Sequence, residues 1–156
     1  MQCQLQYCAI EDRGLWLLAV EGQTHAWWLT RRMSQVLFET MVACLQPQTT
    51  HSDAQAWQLN LQHEAAQGQF NHTRSVILTP DMPPTLVTEI RYGKNIEQNH
   101  VVILVTPSQQ HTLTLSDTVL CGFLALFARQ LSAFPWDLQL TWPPAVSSVS
   151  TSKWRH

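Results

Sequence analysis

The chain has 156 residues, of which 13% are charged and 45% hydrophobic, with a net charge of −2 and a pI near 6.4. The length suits one domain with a substantial core and excludes two large independent ones. The charge leaves no electrostatic footprint for duplex DNA or an anionic membrane, and the longest apolar run, at 119–128, falls short of the roughly 20 residues that span a bilayer.

A charged fraction about half that of an ordinary soluble protein implies a neutral polar surface, which favours a standing protein partner or self-association. The N-terminus "MQCQLQYCAIEDRG" has neither a basic start nor an apolar stretch, and cysteines 3, 8, 44 and 121 lack metal-ligand spacing. Both features predict a reducing, cytoplasmic setting.

In chain order, Cys3, Leu5, Tyr7 and Ala9 alternate with polar residues, the period of a half-buried strand. "EDRG" turns the chain into "LWLLAV" at 15–20, a strand apolar on both faces, and "EGQ" turns it back into "THAWWLT". Thr30 is placed to cap a helix on which Met33, Val36, Leu37, Met41, Cys44 and Leu45 keep helical spacing. "WQLNL" at 57–61 follows as a closing strand or as part of a helix with Trp57 and Leu61 one turn apart, and only the repeat of the unit later in the chain favours the strand. Residues 63–84 form a connector in which "SVILT" could add a strand.

Beyond it, "TLVTEIRY" at 85–92, "VVILVT" at 101–106 and "HTLTLS" at 111–116 read as three more strands. Ser116 then occupies a cap position, a helix is predicted over about 117–132, and "WDLQL" at 136–140 is a second closing strand. An ungapped shift of 86 residues lays 15–45 on 101–131, pairing Leu18 with Leu104, His25 with His111, Leu29 with Leu115 and cap with cap. The expected fold is therefore α+β, a duplicated β-β-β-α-β unit whose antiparallel meander sheets are each packed by one helix, the copies related by a pseudo-two-fold axis. One domain spans 1–142, with halves at about 1–62 and 85–142, and a Ser/Thr-rich tail occupies 143–156. The expected core is Leu17, Leu29, Leu37, Met41, Ile103, Leu115, Phe123 and Phe127.

No motif commits a chemistry. His63-Glu64 does not continue into a zinc-binding HExxH, and neither a nucleophile elbow nor a phosphate-cradling glycine loop occurs. No catalytic residue, metal site or cofactor is expected. His25 and His111, equivalent under that shift, could approach each other across a two-fold axis, but a histidine at the mouth of a strand more often extends to solvent or meets a backbone carbonyl, and that is the expected role here. Seven tryptophans are many for this length, and Trp27 and Trp28, consecutive on a strand, must point to opposite faces. Parity with Leu29 sends Trp27 toward the helix and leaves Trp28 beside Arg31 and Arg32, an aromatic and arginine cluster of the kind that anchors protein interfaces. Trp154 offers a second anchor in the tail.

The expected function is a non-catalytic protein–protein interaction module: an adaptor, assembly factor or inhibitor with a protein partner or a second copy of itself, and no membrane. The alternative is a single-stranded nucleic-acid binder. Repeated meander-plus-helix units resemble in outline the positive cofactor four and Whirly group of transcription cofactors, and that resemblance implies nucleic acid carried on curved strands. Those proteins display basic strands, whereas "LWLLAV", "THAWWLT" and "VVILVT" contain no Lys or Arg. A small-molecule enzyme without a recognisable motif is the third reading.

Overall fold

The computed structural model describes residues 1–45 and 77–142. The architecture is α+β. Strands β1 (Gln2–Cys8), β2 (Arg13–Val20) and β3 (Gln23–Leu29) form an antiparallel meander followed by helix α1 (Arg31–Leu45). A two-residue strand β4 (Thr85–Leu86) adds to β3 in parallel and completes a four-stranded sheet. Strands β5 (Glu89–Lys94), β6 (His100–Val105) and β7 (Gln110–Leu115) make a second antiparallel meander, and helix α2 (Asp117–Ser132) follows.

The local chemistry explains the boundaries. At the β2–β3 hairpin the two turn residues, Glu21 and Gly22, have φ of 50° and 82°, and Val20 pairs with Gln23. Positive φ at both positions matches the right-handed twist of the flanking strands. Each helix is capped by a hydroxyl from the preceding strand end: the Thr30 Oγ1 accepts from Met33 N–H at 3.1 Å, and the Ser116 Oγ from Val119 N–H at 3.4 Å. These bonds satisfy donors that the first helical turn would otherwise leave orphaned.

One segment stitches the sheets together. After β4, Val87 N–H donates to the Trp28 carbonyl at 3.0 Å and Thr88 N–H to the Val105 carbonyl at 2.8 Å. The chain thus leaves the first sheet and enters the second within two residues. The expected single strand over 85–92 is divided here, because its ends pair with different sheets.

One core joins both sheets and both helices, through Trp16, Leu18, Trp27 and Leu29 from the first sheet and Val102, Leu104 and Leu115 from the second. Leu37 and Met41 of α1 and Phe123 and Phe127 of α2 complete it. Each helix leans on strands of both sheets, α1 on β2, β3 and β5 and α2 on β1 and β7, instead of serving one sheet alone.

Two expected core residues are placed otherwise. Leu17 is buried on the outer face of the first sheet, in a small cluster with Ala26 and Leu78, and Ile103 is half-buried on the outer face of the second. Strand period decides this: Trp16 and Leu18, Val102 and Leu104 take the inner positions, so the residues between them turn outward.

The segment at 77–82 crosses that outer face without joining a ladder. Leu78 N–H bonds the Gln4 side chain at 3.2 Å, and Asp81 exchanges bonds with Thr24, accepting its N–H at 2.6 Å. The closing strand expected at 136–140 is absent. Pro135 cannot donate, Asp137 has φ of 51°, and the Trp136 indole N–H is tied to Asp12 Oδ1 at 2.9 Å, so this stretch packs by side chains with no partner strand. The expected strand at 57–61 and the tail lie outside the described residues.

Candidate functional site

Trp28 stands on the outer face of β3, half-buried, opposite Leu15 on β2 and Leu86 on β4. Arg31 and Arg32 open α1 and are both exposed. Arg31 lies at the β1–β2 hairpin end, where it acts on Asp12: the Trp136 indole and the Tyr7 hydroxyl hold the Asp12 carboxyl below its ordinary value, and the Arg31 charge adds to them. Trp28, Arg31 and Arg32 therefore belong to one end of the first sheet. Trp154 lies outside the described residues.

The same end carries a residue that the sequence reading passed over. Ile10 projects from the hairpin tip, 95% exposed, followed by Glu11 and by Asp12 at φ 48°. The β5–β6 tip repeats the arrangement with Ile96, 100% exposed, Glu97, and Gln98 at φ 64°. Gln98 N–H donates to the Asn95 carbonyl at 3.0 Å and Asn99 N–H to Asn95 Oδ1 at 2.9 Å, so this second tip is ordered. Ile96-Glu97 follows Ile10-Glu11 by 86 residues, the shift that lays 15–45 on 101–131 in the sequence. The signal was legible as an isoleucine inside two otherwise polar turns, but a comparison starting at residue 15 excluded it.

A second constellation is polar and internal. His100, only 1% exposed, has its Nε2 2.7 Å from Asp117 Oδ1 and its Nδ1 3.0 Å from the Tyr92 hydroxyl. A neutral imidazole protonated at Nε2 fits both contacts, donating to the carboxylate and accepting from the phenol. The Cys44 thiol lies beside the Tyr92 hydroxyl and donates to the Thr40 carbonyl at 2.9 Å, which brings α1 against the set.

The geometry resembles a base held between an orienting carboxylate and a hydroxyl, yet the environment works against nucleophilic use. Burial, then the contact with Cys44, pushes the Tyr92 hydroxyl up to about 12, and burial pushes the Cys44 thiol up as well. Neither is a ready anion near neutral pH. The set acts as a polar clasp joining α1, β5, β6 and the first turn of α2.

In the first half, 86 residues earlier, the position of His100 is Gly14, where an added Cβ would stand 3.3 Å from Phe134 and 3.5 Å from Trp136. The missing side chain leaves room for that aromatic cover. No local spacing announces the clasp, because its members come from four separate elements.

The third feature lies between the sheets. His25 on β3 and His111 on β7 meet with ring centroids 5.9 Å apart and planes at 68°. Trp27 stacks on His25 at 5.7 Å and meets His111 edge-on at 5.3 Å. The expected role of each histidine, reaching solvent or a backbone carbonyl, is replaced by contact between the two rings.

Among the described residues no group of three or more His, Cys, Asp or Glu converges as a metal site would, and no helix is long and apolar enough to cross a membrane. Compared with protein-family models, with curated proteins and with solved structures, the chain has no match.

Proposed function

We propose that the protein is a non-catalytic interaction module, an adaptor, assembly factor or inhibitor, built by duplication of a meander-plus-helix unit about a pseudo-two-fold axis. The duplication is supported by a constant offset of 86 residues that relates the two helix caps, the left-handed Asp12 and Gln98 of the β1–β2 and β5–β6 tips, and the His25–His111 contact. Equivalent residues touch each other only near a symmetry axis. It is supported further by the reciprocal way each helix reaches a strand of the other half.

The observation that carries the functional reading is the pair of hairpin tips. A fully exposed isoleucine costs solubility and adds nothing to the core. Both tips nevertheless present Ile-Glu, while most of the surrounding residues differ between the halves. Contact with a partner gives these side chains a use. At the first tip, Arg31, Arg32 and the half-buried Trp28 share the same end of the sheet and supply the aromatic and arginine groups that dominate binding energy at protein interfaces.

The test is affinity capture from the native host, with the full chain as bait. A stoichiometric protein partner is expected with the wild-type chain. It should be depleted by Ile10→Ser with Ile96→Ser, whose thermal unfolding should stay close to wild type, and by Trp28→Ala, assayed below the onset of that variant's unfolding. Removing residues 145–156 asks whether Trp154 contributes. Recovery of only nucleic acid that survives moderate salt would overturn the reading in favour of a single-strand binder.

A further inference from the structure

Strands β3 and β7 meet through aromatic side chains, yet no backbone ladder joins them: the first sheet runs β1-β2-β3-β4 and the second β5-β6-β7. What faces across this seam is His25, His111 and Trp27. The Nε2 of His111 is buried there without a hydrogen-bond partner. A neutral imidazole tolerates such a place at modest cost, whereas an imidazolium needs an acceptor or water for each N–H.

The surroundings offer little counter-charge. The residues opposite the two imidazoles in the ladders are Leu18 on β2 and Leu104 on β6. From the helices, the seam is reached through an aromatic series in which Trp27 contacts Trp16 at 5.1 Å, and Trp16 contacts Phe123 at 5.9 Å and Phe127 at 5.2 Å. Asp81, which bonds β3 beside His25, is committed to the Thr24 N–H. The charged group that bears on His111 is His25 itself.

We propose that the His25–His111 contact is a pH-responsive joint, closed while the imidazoles are neutral and opened when both are protonated. The first proton on the pair faces a neutral imidazole. The second places two cations face to edge at the seam, where no described residue sets a carboxylate against either ring, and like charges at this range repel. Because Trp27 lies against both rings and against Trp16, opening of the joint disturbs the centre of the shared core, not a peripheral loop.

The sign follows from the depressed proton affinity of His111, which burial lowers first and the neighbouring His25 lowers further. The unfolded chain then binds the proton more readily than the folded one. The stability linked to this group is present above the unfolded value of about 6.5 and is lost as pH falls through the lower folded value.

The experiment is an NMR titration of the imidazole resonances in the full chain, run beside denaturant unfolding at pH 7 and pH 5. The two rings should titrate as a coupled pair, with the second step below about 6.5. Conversion of His25 to Gln should move the His111 midpoint upward. The loss of stability between pH 7 and 5 should be at least halved in His111→Gln, and amide exchange in β3 and β7, corrected for the intrinsic pH effect, should rise on acidification in the wild type. Independent titration of both rings at ordinary values would overturn the proposal. So would an unchanged pH profile in His111→Gln. Should a Gln variant fail to fold, the wild-type titration decides alone, because coupling and depression are properties of the native pair.

Discussion

Two adjacent tryptophans with the same chemistry end in different environments because a strand alternates its faces. Trp27 is 1% exposed and touches Trp16, His25 and His111, while Trp28 sits half-buried on the outer face. Trp27→Ala should destabilise the fold by roughly 3–5 kcal/mol, the range for a large aromatic removed from a closed core, and Trp28→Ala by no more than about 2 kcal/mol. Chemical denaturation of the two variants checks this, and comparable losses would mean that the outer face is as tightly packed as the inner.

At His100 the issue is satisfaction of polar groups. Replacing it with Ala leaves Asp117 and Tyr92 without their shared partner and opens space between β6 and α2, so a loss of about 2–3 kcal/mol is expected. Tyr92→Phe, which removes one hydroxyl, should cost about 1 kcal/mol. The Trp27 and Trp28 faces could be read from parity in the sequence. The clasp could not, since His100 and Asp117 are brought together by the packing of a strand against a helix start.

Among the elements, the helix starts are the most legible. Thr30 and Ser116 were identifiable as caps because each precedes an apolar helical period, and in both cases the hydroxyl bonds the N–H three residues on. Thr30→Ala and Ser116→Ala should each cost about 1 kcal/mol, seen as a lowered denaturation midpoint with little change in slope. The shorter Thr30 bond, at 3.1 Å against 3.4 Å, places the larger loss there.

Strand faces were less legible for a definite reason. "LWLLAV" and "VVILVT" are apolar at every or nearly every position, so alternation within them carries no information about direction. Register supplies it. With Val20 paired to Gln23 across the Glu21-Gly22 turn, Trp16 falls opposite Trp27 and Leu17 opposite Ala26, and only then is Leu17 assigned to the outer face. "WDLQL" failed in the opposite way. Its alternation is that of a strand, and Leu138 and Leu140 do pack against the core, but no strand edge is offered to it and the left-handed Asp137 breaks the extended run.

For the whole molecule, one core shared by two sheets and two helices predicts one transition. Neither half closes its own apolar surface: α1 needs β5 and α2 needs β1. Unfolding followed by far-ultraviolet dichroism, tryptophan fluorescence and near-ultraviolet dichroism should give coincident curves. Separated curves would show the halves melting in turn and would also weaken the seam as a route by which His25 and His111 affect the entire fold.

The sequence by itself determined the α+β class, the order of two meanders each followed by a helix, the helix caps, and the divergence of Trp27 and Trp28. All of these depend on periodicity or on residue chemistry within a few positions. Tertiary structure alone decided that each helix serves both sheets, that residues 85–94 divide between two sheets, that Leu17 and Ile103 turn outward, and that Cys44, Tyr92, His100 and Asp117 converge. Those outcomes depend on register and on which surfaces meet, and contacts between residues distant in the chain leave no local pattern from which to read them.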